Sequence, residues 1–364
     1  MGAVFLQIFY VFLLGLGVDN AQQFKVVLPN GTYVTSNRYV NQDLFFALRG
    51  GGGGTFGVVM EMSTLAHPDK PMQYARFFLP ILNSDQTGKL LTVLVDNGDK
   101  WATEGFGANF VITSAYPFPS QLQFMTTLLS YNDTVASLKP VTDFVTIELG
   151  LPVGAESFTT YNGFYQTFQS MLTVDNAQGM GNIQSSRLVT RKYFQDDNLK
   201  SQLVSVLTGI AGTGITTNAS IPSANLIILV VGPMLYSQNL PESDQPGGPG
   251  YASVTPAWRD TLWHVTNTYA FNPNGAAPST IDAIFQKGHD VMQPLRELAS
   301  DTGAYQNEAD PFEPDPVGSY WGEENYQRLL AIKKEVDPGN LFTVHQGINW
   351  DPSDSRYSCY PSVN

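Results

Sequence analysis

The residues best suited to chemistry form one run, Gly50-Gly-Gly-Gly-Gly-Thr-Phe-Gly-Val58. Residues without a β-carbon let successive N–H groups at Gly50, Gly51, Gly52, Gly53 and Gly54 approach a flat or anionic ligand closely. Thr55, Gly57 and Val58 extend this candidate site by a hydroxyl and further backbone groups. The remaining candidates are scattered. Glu308, Asp310, Glu313 and Asp315 lack the spacing of an EF-hand, and sequence gives no carboxylate separation from which to read a glycosidase pair. They read as a solvated, proline-rich loop. His67, His264, His289 and His345 form no H-E-x-x-H pair and read as ordinary structural or surface residues. Cys359 is the single cysteine, which excludes an intramolecular disulfide and a multi-cysteine metal site. No metal centre is expected.

The elements around the glycines decide which chemistry they can do. Asn41 is placed to cap a helix, Asp43 falls in its first turn, and Leu44, Phe45, Ala47 and Leu48 recur at helical spacing. That helix must stop at Gly50. Val58 to Leu65 is β-branched at its start and loosely alternating, which predicts a strand. Gly52, Gly54 and Gly57 satisfy G-x-G-x-x-G, but a dinucleotide turn needs a strand before it and a helix after it. A nucleophile elbow with Thr55 in the serine position fails on the same order. No G-K-[ST] follows, so this is no P-loop. A flexible linker would not be flanked on both sides by core-type residues. A tight backbone site remains.

The rest of the chain predicts two or three domains. Its 364 residues are 43% hydrophobic and 14% charged, which argues against global disorder. A net charge of -13 argues against a nucleic-acid partner and against anionic membrane surfaces. Residues 1–14 are almost wholly apolar, yet have no basic flank and no A-x-A-like cleavage site, and are short for a bilayer span. Phe24 to Thr35 predicts a hairpin about Asn30-Gly31. His67-Pro-Asp-Lys-Pro71 breaks the pattern and is expected to end the first domain. Beyond it, strands are expected over 74–81, 108–116, 186–194 and 226–231. Helices are expected over 84–100, 133–142, 158–172, 197–210 and 280–300. The fold class is α+β, a second domain with a mixed or antiparallel sheet covered by helices. Leu329, Leu330, Ile332, Lys333 and Val336 predict an amphipathic helix ended by Asp337-Pro-Gly.

Three ordered segments carry a resemblance: Asp43-Leu-Phe-Phe-Ala-Leu-Arg-Gly-Gly-Gly-Gly-Gly-Thr-Phe-Gly-Val-Val59, then Gly303-Ala-Tyr-Gln-Asn307 with Tyr320-Trp-Gly-Glu-Glu-Asn-Tyr-Gln-Arg-Leu330, then Asp337-Pro-Gly-Asn-Leu-Phe342 with Gln346-Gly-Ile348. The chain resembles the berberine bridge enzyme-like, FAD-linked oxidases of the vanillyl-alcohol-oxidase/p-cresol-methylhydroxylase (PCMH) fold group. The resemblance runs from Gly15 to Tyr360. It implies an apolar segment of open status at 1–14, the C-terminal portion of a PCMH-type FAD-binding domain at 15–70 and a substrate domain at 71–300. A terminal segment at 301–352 would return to the flavin domain, followed by a tail at 353–364. It implies FAD as cofactor, a small organic substrate and O2 as partners, and secretion. Sequons at Asn30, Asn132 and Asn218 add little to the last point.

What the resemblance implies about residues is specific. Tyr305 would be the catalytic base, taking a proton while hydride goes to flavin N5. Gly50 to Gly54, Thr55, Gly57 and Val58 would hold FAD through backbone groups, joined by Asn325 and Gln346. Glu323-Glu324 before Asn325 departs from the family spacing, where many members have one residue. Ser253 to His264 resembles a strand of the family's substrate domain that faces the flavin; Trp258, Arg259 or His264 would lie on its substrate side, with ordinary core packing the preferred reading for the tryptophans. The family's R-x-G-G-H segment, whose histidine commonly bonds the flavin, has no counterpart in these residues. The expectation is therefore no covalent FAD and little oxidase activity. A catalytically inactive, ligand-binding fragment and a membrane-anchored binding protein are the alternatives. Cys359 is expected to be a free thiol.

Overall fold

Residues 11–113, 120–154, 157–171, 181–212, 226–245, 248 and 250–360 are described by the structure, a computed structural model. Asn218 and residues 1–10 lie outside them. Asn30 and Asn132 are exposed, and no helix among the described residues is long and apolar enough to cross a membrane.

The Asn30-Gly31 turn joins β1 (Ala21–Val27) to β2 (Tyr33–Asn37), with Gly31 at φ +83° and Asn30 Oδ1 accepting the Thr32 N–H at 2.9 Å. β3 (Val58–Thr64) pairs with the other edge of β1, giving an antiparallel sheet of order β2-β1-β3. Helix α1 (Gln42–Leu48) buries Leu44, Phe45, Phe46 and Ala47, and Phe45 meets Phe24 of β1 at 6.0 Å between ring centroids. Asn41 does not cap it. Its backbone is left-handed (φ +50°), which asparagine tolerates, and its amide donates to Thr35 O at 2.7 Å, so the side chain ties down the preceding turn. Asp43 instead pairs with Arg328 at 2.7 Å.

The chain enters a second sheet between Thr64 and Met72. Its strands are β4 (Met72–Leu79), β5 (Gly107–Ile112), β6 (Ser120–Thr126), β7 (Phe158–Tyr161), β8 (Gly181–Thr190), β9 (Leu226–Val230) and β10 (Thr261–Phe271). They lie in the order β7-β4-β6-β5-β9-β10-β8, antiparallel throughout. Helices α2 (Ser84–Thr103), α3 (Phe164–Met171), α4 (Asp197–Gly212) and α5 (Pro278–Val291) pack on it. α2 starts at a capping box, Asn83 with Gln86. Leu90, Leu91, Leu94 and Val95 of α2, and Leu203, Leu207 and Ile210 of α4, recur at helical spacing. They bury one face of the sheet, where Phe77, Phe110, Phe124, Trp263 and Val265 stand.

Several boundaries differ from expectation. The helix expected over 158–172 begins only at Phe164, because Phe158–Tyr161 pairs with β4 as an edge strand. The helix expected over 133–142 is broken at Leu138 and runs on into a π-helical turn, Phe144–Glu148. The strand expected to end at Phe194 ends at Thr190, and β6 was not foreseen. Pro256–Asp260 is a 3₁₀ turn leading into β10 rather than a strand.

The C-terminal segment returns to the first sheet. Helix α6 (Glu323–Val336) sets Leu329 and Ile332 against Phe46, Phe56, Trp321 and Ile348. The chemistry-bearing residues lie at this return.

Candidate functional site

The glycine run is bent by its neighbours into two parts. Gly50, Gly51 and Gly57 are glycines for packing. A β-carbon would stand 2.5 Å from Val254 N at Gly50, 2.6 Å from Ala47 O at Gly51, and 2.6 Å from Val27 O at Gly57. The run's carbonyls are tied to the C-terminal segment: Trp321 Nε1 donates to Gly50 O at 3.0 Å, and Lys333 Nζ to Thr55 O at 2.8 Å. Lys333 is fully buried, and its ammonium also donates to the Asp337 carboxylate and to Phe342 O. Arg49 closes the near side. Its buried guanidinium donates to Gly250 O and Tyr251 O at 2.6 Å each and lies 4.1 Å from the Phe45 ring. Burial pulls its pKa down to about 10.

Gly52, Gly53 and Gly54 face the other way. A β-carbon at Gly53 would meet nothing within 4 Å, and at Gly54 only Val344, at 3.7 Å. Gly52 and Gly54 are left-handed, at φ +97° and +71°. The N–H groups of these three residues find no hydrogen-bond acceptor among the described residues. Thr55 Oγ1, beside them, is buried and unpartnered. A cavity of about 280 Å³ opens there, bordered by Gly53, Gln306, Asn307, His345, Gln346 and Tyr360 among others.

Tyr305 stands next to this cavity through Asn307, whose Nδ2 donates to the Tyr305 hydroxyl at 2.8 Å. Its ring packs edge-on against Trp258 and His264, each at 5.8 Å between centroids. Burial raises the Tyr305 pKa, the neighbouring Glu308 carboxylate adds to the rise, and the Asn307 bond opposes it. The phenol is therefore protonated at neutral pH. His264 is neutral too, since burial pushes its pKa down to about 3, and its Nε2 is unpartnered.

The structure distributes the expected site residues unevenly. Gly52, Gly53, Gly54, Thr55 and Gln346 come together, with Tyr305 one residue removed. Val58 does not join them: it lies on β3, exposed. Asn325 is buried behind the run with its amide donating to Val254 O at 3.1 Å. Gln346 borders the cavity, but its amide is spent on Tyr320 and on Glu313 O. Trp258 lies in the Tyr305 layer, Trp263 is in the main core, and Arg259 pairs with Asp19 at 2.7 Å. The acidic cluster corrects an expectation. Asp310 and Glu313 are buried, not solvated, and pair with Arg296, Arg187 and His289; Asp315 caps the helix Pro316–Tyr320. Buried carboxylates need such partners. No group of His, Cys, Asp and Glu among the described residues could hold a metal ion. Lys333, Trp321, Gln306 and Arg49 were missed as site residues. A lysine in an amphipathic helix reads as surface, so no local signal marked Lys333.

Residues 304–349 match the family model described as berberine and berberine like. The FAD-linked oxidoreductase OXR2 of Pyricularia oryzae is 28% identical over 351 residues, covering 95% of this chain and 55% of that protein. The FAD-linked oxidoreductase ffsJ of Aspergillus flavipes is 29% identical, covering 90% and 54%. The chain thus spans about half the length of the curated relatives it matches. Among solved structures, the VAO-type flavoprotein MtVAO713 of Myceliophthora thermophila superposes with a TM-score of 0.76 at 22% identity, over 93% of this chain and 59% of that one. The glucooligosaccharide oxidase of Acremonium strictum gives 0.70 at 18%, over 93% and 68%. By sequence and by fold, the chain is a relative of the berberine-like, FAD-linked oxidoreductases, built on the VAO-type fold.

Proposed function

We propose that this chain is the part of an FAD-dependent oxidoreductase that holds one end of the cofactor and presents a small organic substrate to it. The observation that carries the reading is the unspent N–H of Gly53, flanked by those of Gly52 and Gly54, at a cavity also bordered by Asn307, which bonds the Tyr305 hydroxyl. The residues fit part of the group. Ligand cavities run from about 300 to 1,000 Å³, so 280 Å³ takes one portion of a dinucleotide and not the whole. Unspent N–H groups and the orphaned Thr55 hydroxyl would bind its anionic or carbonyl oxygens. Bound FAD would supply the hydride acceptor, with O2 as the final oxidant.

The chain's own residues would do the rest. Trp321 and Lys333 hold the Gly50 and Thr55 carbonyls and so pin the two ends of the run. Tyr305 would hydrogen-bond the reacting oxygen or nitrogen of the substrate and take its proton. As it stands the phenol is a donor, because burial holds its proton on; serving as base requires the higher pH that its raised pKa dictates. Trp258 and His264 wall that side with an apolar face and a neutral imidazole.

The test is direct titration with FAD, followed by flavin fluorescence. FAD should bind, and Gly53→Asp should weaken it at least tenfold by setting a carboxylate in the row, without loss of helical signal. Equal binding by the variant, or no binding by the parent chain, would refute the reading.

A further inference from the structure

The tail after Ile348, the last core residue, lies against the cavity beside the glycine row without being built into the fold. None of residues 351–360 is buried. Among the described residues their backbone hydrogen bonds are all internal. Asp354 N–H donates to Asp351 O, Tyr357 N–H to Asp354 O, Ser358 N–H to Ser355 O and Tyr360 N–H to Tyr357 O, at 3.0–3.2 Å. Asp351 and Asp354 close the same turns, accepting from the N–H groups of Ser353 and Arg356 at 2.8 and 2.9 Å. The last backbone bond that ties the chain down is Trp350 N–H to Gly347 O, at 3.2 Å.

Rings hold the tail in place. Tyr360 lies flat on His345, with 3.8 Å between centroids and 8° between planes, and Tyr357 meets His345 at 5.8 Å and Trp350 at 6.3 Å. Two polar contacts add to them. The Tyr357 hydroxyl and Thr343 Oγ1 share a hydrogen bond of 2.5 Å, and Arg356 Nη1 donates to Asn340 O at 3.3 Å. Tyr360 and His345 both border the 280 Å³ cavity, together with Gly53. Tyr360 is still 41% exposed, so its seat covers only part of the ring. The seated tail also carries a penalty. Asn340 Oδ1 and Trp350 Nε1, on two residues it packs against, are buried without partners among the described residues. Unpaired buried polar groups are destabilising, and lifting the tail lets water reach both. A segment held by a few half-exposed ring contacts and opposed by two orphaned polar atoms belongs to the low-stability end of a structure, from which lids are drawn.

We propose that residues 351–360 are a strap that closes the cavity on the side of Tyr360 and lifts as one unit, about the join of Trp350 to Asp351, to admit a ligand. Seated, Tyr360 completes the border made by Gly53, His345 and Gln346; lifted, it leaves that border open on the side of the tail. The strap moves as a unit because its turns are bonded to one another and not to the body. The stack of Tyr360 on His345 is the latch. The proposal requires the cavity and no particular occupant, so it stands whether or not flavin binds.

The test reads access to position 53, where a β-carbon meets nothing within 4 Å, in the full chain without ligand. Gly53→Cys in a Cys359→Ser background leaves one thiol, at the cavity border, because Cys359 is the single native cysteine. Its rate of labelling by a bulky maleimide is corrected for its measured thiolate fraction, so that thiol acidity drops out. Tyr360→Ala should raise that rate about fivefold, and Tyr360→Phe, which keeps the stack, less than about twofold, with helical signal and melting unchanged. Hydrogen exchange supplies a second reading in the parent chain. The amides of residues 354–360 should exchange together, about tenfold or more faster than those of α6, and Tyr360→Ala should remove their remaining protection without altering α6. An unchanged labelling rate in Tyr360→Ala, an equal rise in Tyr360→Phe, or tail amides as protected as those of α6 would each overturn the proposal.

Discussion

Replacing Lys333 by methionine tests the clamp on the glycine run most sharply. The ammonium is fully buried and directs its donors at Thr55 O (2.8 Å), the Asp337 carboxylate (2.5 Å) and Phe342 O. Methionine keeps the stem but leaves a buried carboxylate without its cation and two carbonyls without a donor. Removing one partner of a buried pair costs about 3–5 kcal/mol. Asp337 keeps the N–H groups of Leu341 and Phe342, at 2.9 Å each, so the lower end, about 3 kcal/mol, is expected. At about 1.4 kcal/mol per tenfold, that is on the order of a 100-fold rise in opening of the clamp. Hydrogen exchange read by mass spectrometry over peptides 44–57 and 323–343 measures it where opening limits exchange. Adding Asp337→Asn should recover part of the loss, because the uncompensated charge goes while the acceptor remains. The pH dependence has a definite sign. Burial alone would raise the Asp337 pKa, but the bonds from Lys333, Leu341 and Phe342 outweigh it and hold the folded value below the ordinary one. Its contribution is thus present above the unfolded carboxylate value, about 3.9, and is lost as pH falls through the folded value. A rise under about fivefold, or an equal rise across β4–β6, would refute the clamp.

The other expectations concern the glycines, the tyrosine and the tail. Gly51→Ala should lower stability by about 1–3 kcal/mol, since its β-carbon would stand 2.6–2.8 Å from Ala47 O, Phe56 and Leu329. Gly53→Ala should change it by no more than about 0.5 kcal/mol; thermal melts showing the reverse order would overturn the division of the run. Tyr305→Phe should leave FAD binding unchanged but slow reduction of bound flavin in stopped flow. In the parent chain that rate should climb with pH to a midpoint above 10, the ordinary tyrosine value, and a midpoint below 10 would exclude the phenol held as it is here. Cys359, exposed and unpaired, should react with a thiol reagent in the native protein within a few-fold of its denatured rate.

What the sequence disclosed of the fold was whatever local chemistry enforces. Asn30-Gly31 demands a tight turn, and the hairpin is there. The helical spacing of Leu329, Ile332 and Val336 survives as α6 because one stripe had to be buried. The failures came where tertiary pairing overrides local preference. Phe158–Tyr161 reads as the start of a helix, yet gains more as a ladder on β4 than as a frayed first turn. β6 alternates Leu122 and Phe124 with Gln121 and Gln123, a run with only two apolar residues on its core face, and its polar face is buried because Gln123 finds partners on the sheet, bonding both Asn109 and the Tyr74 hydroxyl.

The same reasoning explains the partial legibility of the site. Five glycines in a row announce a backbone that must bend closely, but not which way each faces. That depends on residues far away in sequence, such as Val254 against Gly50 and Leu329 against Gly51. Asp310 and Glu313 look solvated beside Pro311 and Pro314, and become buried only because Arg187 and Arg296, from β8 and from the helix after α5, arrive with matching charge. His264 was indistinguishable from a structural histidine, because burial and an unpartnered nitrogen are properties of its neighbours. A lysine inside an amphipathic helix reads as surface. Lys333 is instead the point where helix, glycine run and the Asp337 turn share one charge, and only the fold that brings the three together could show it.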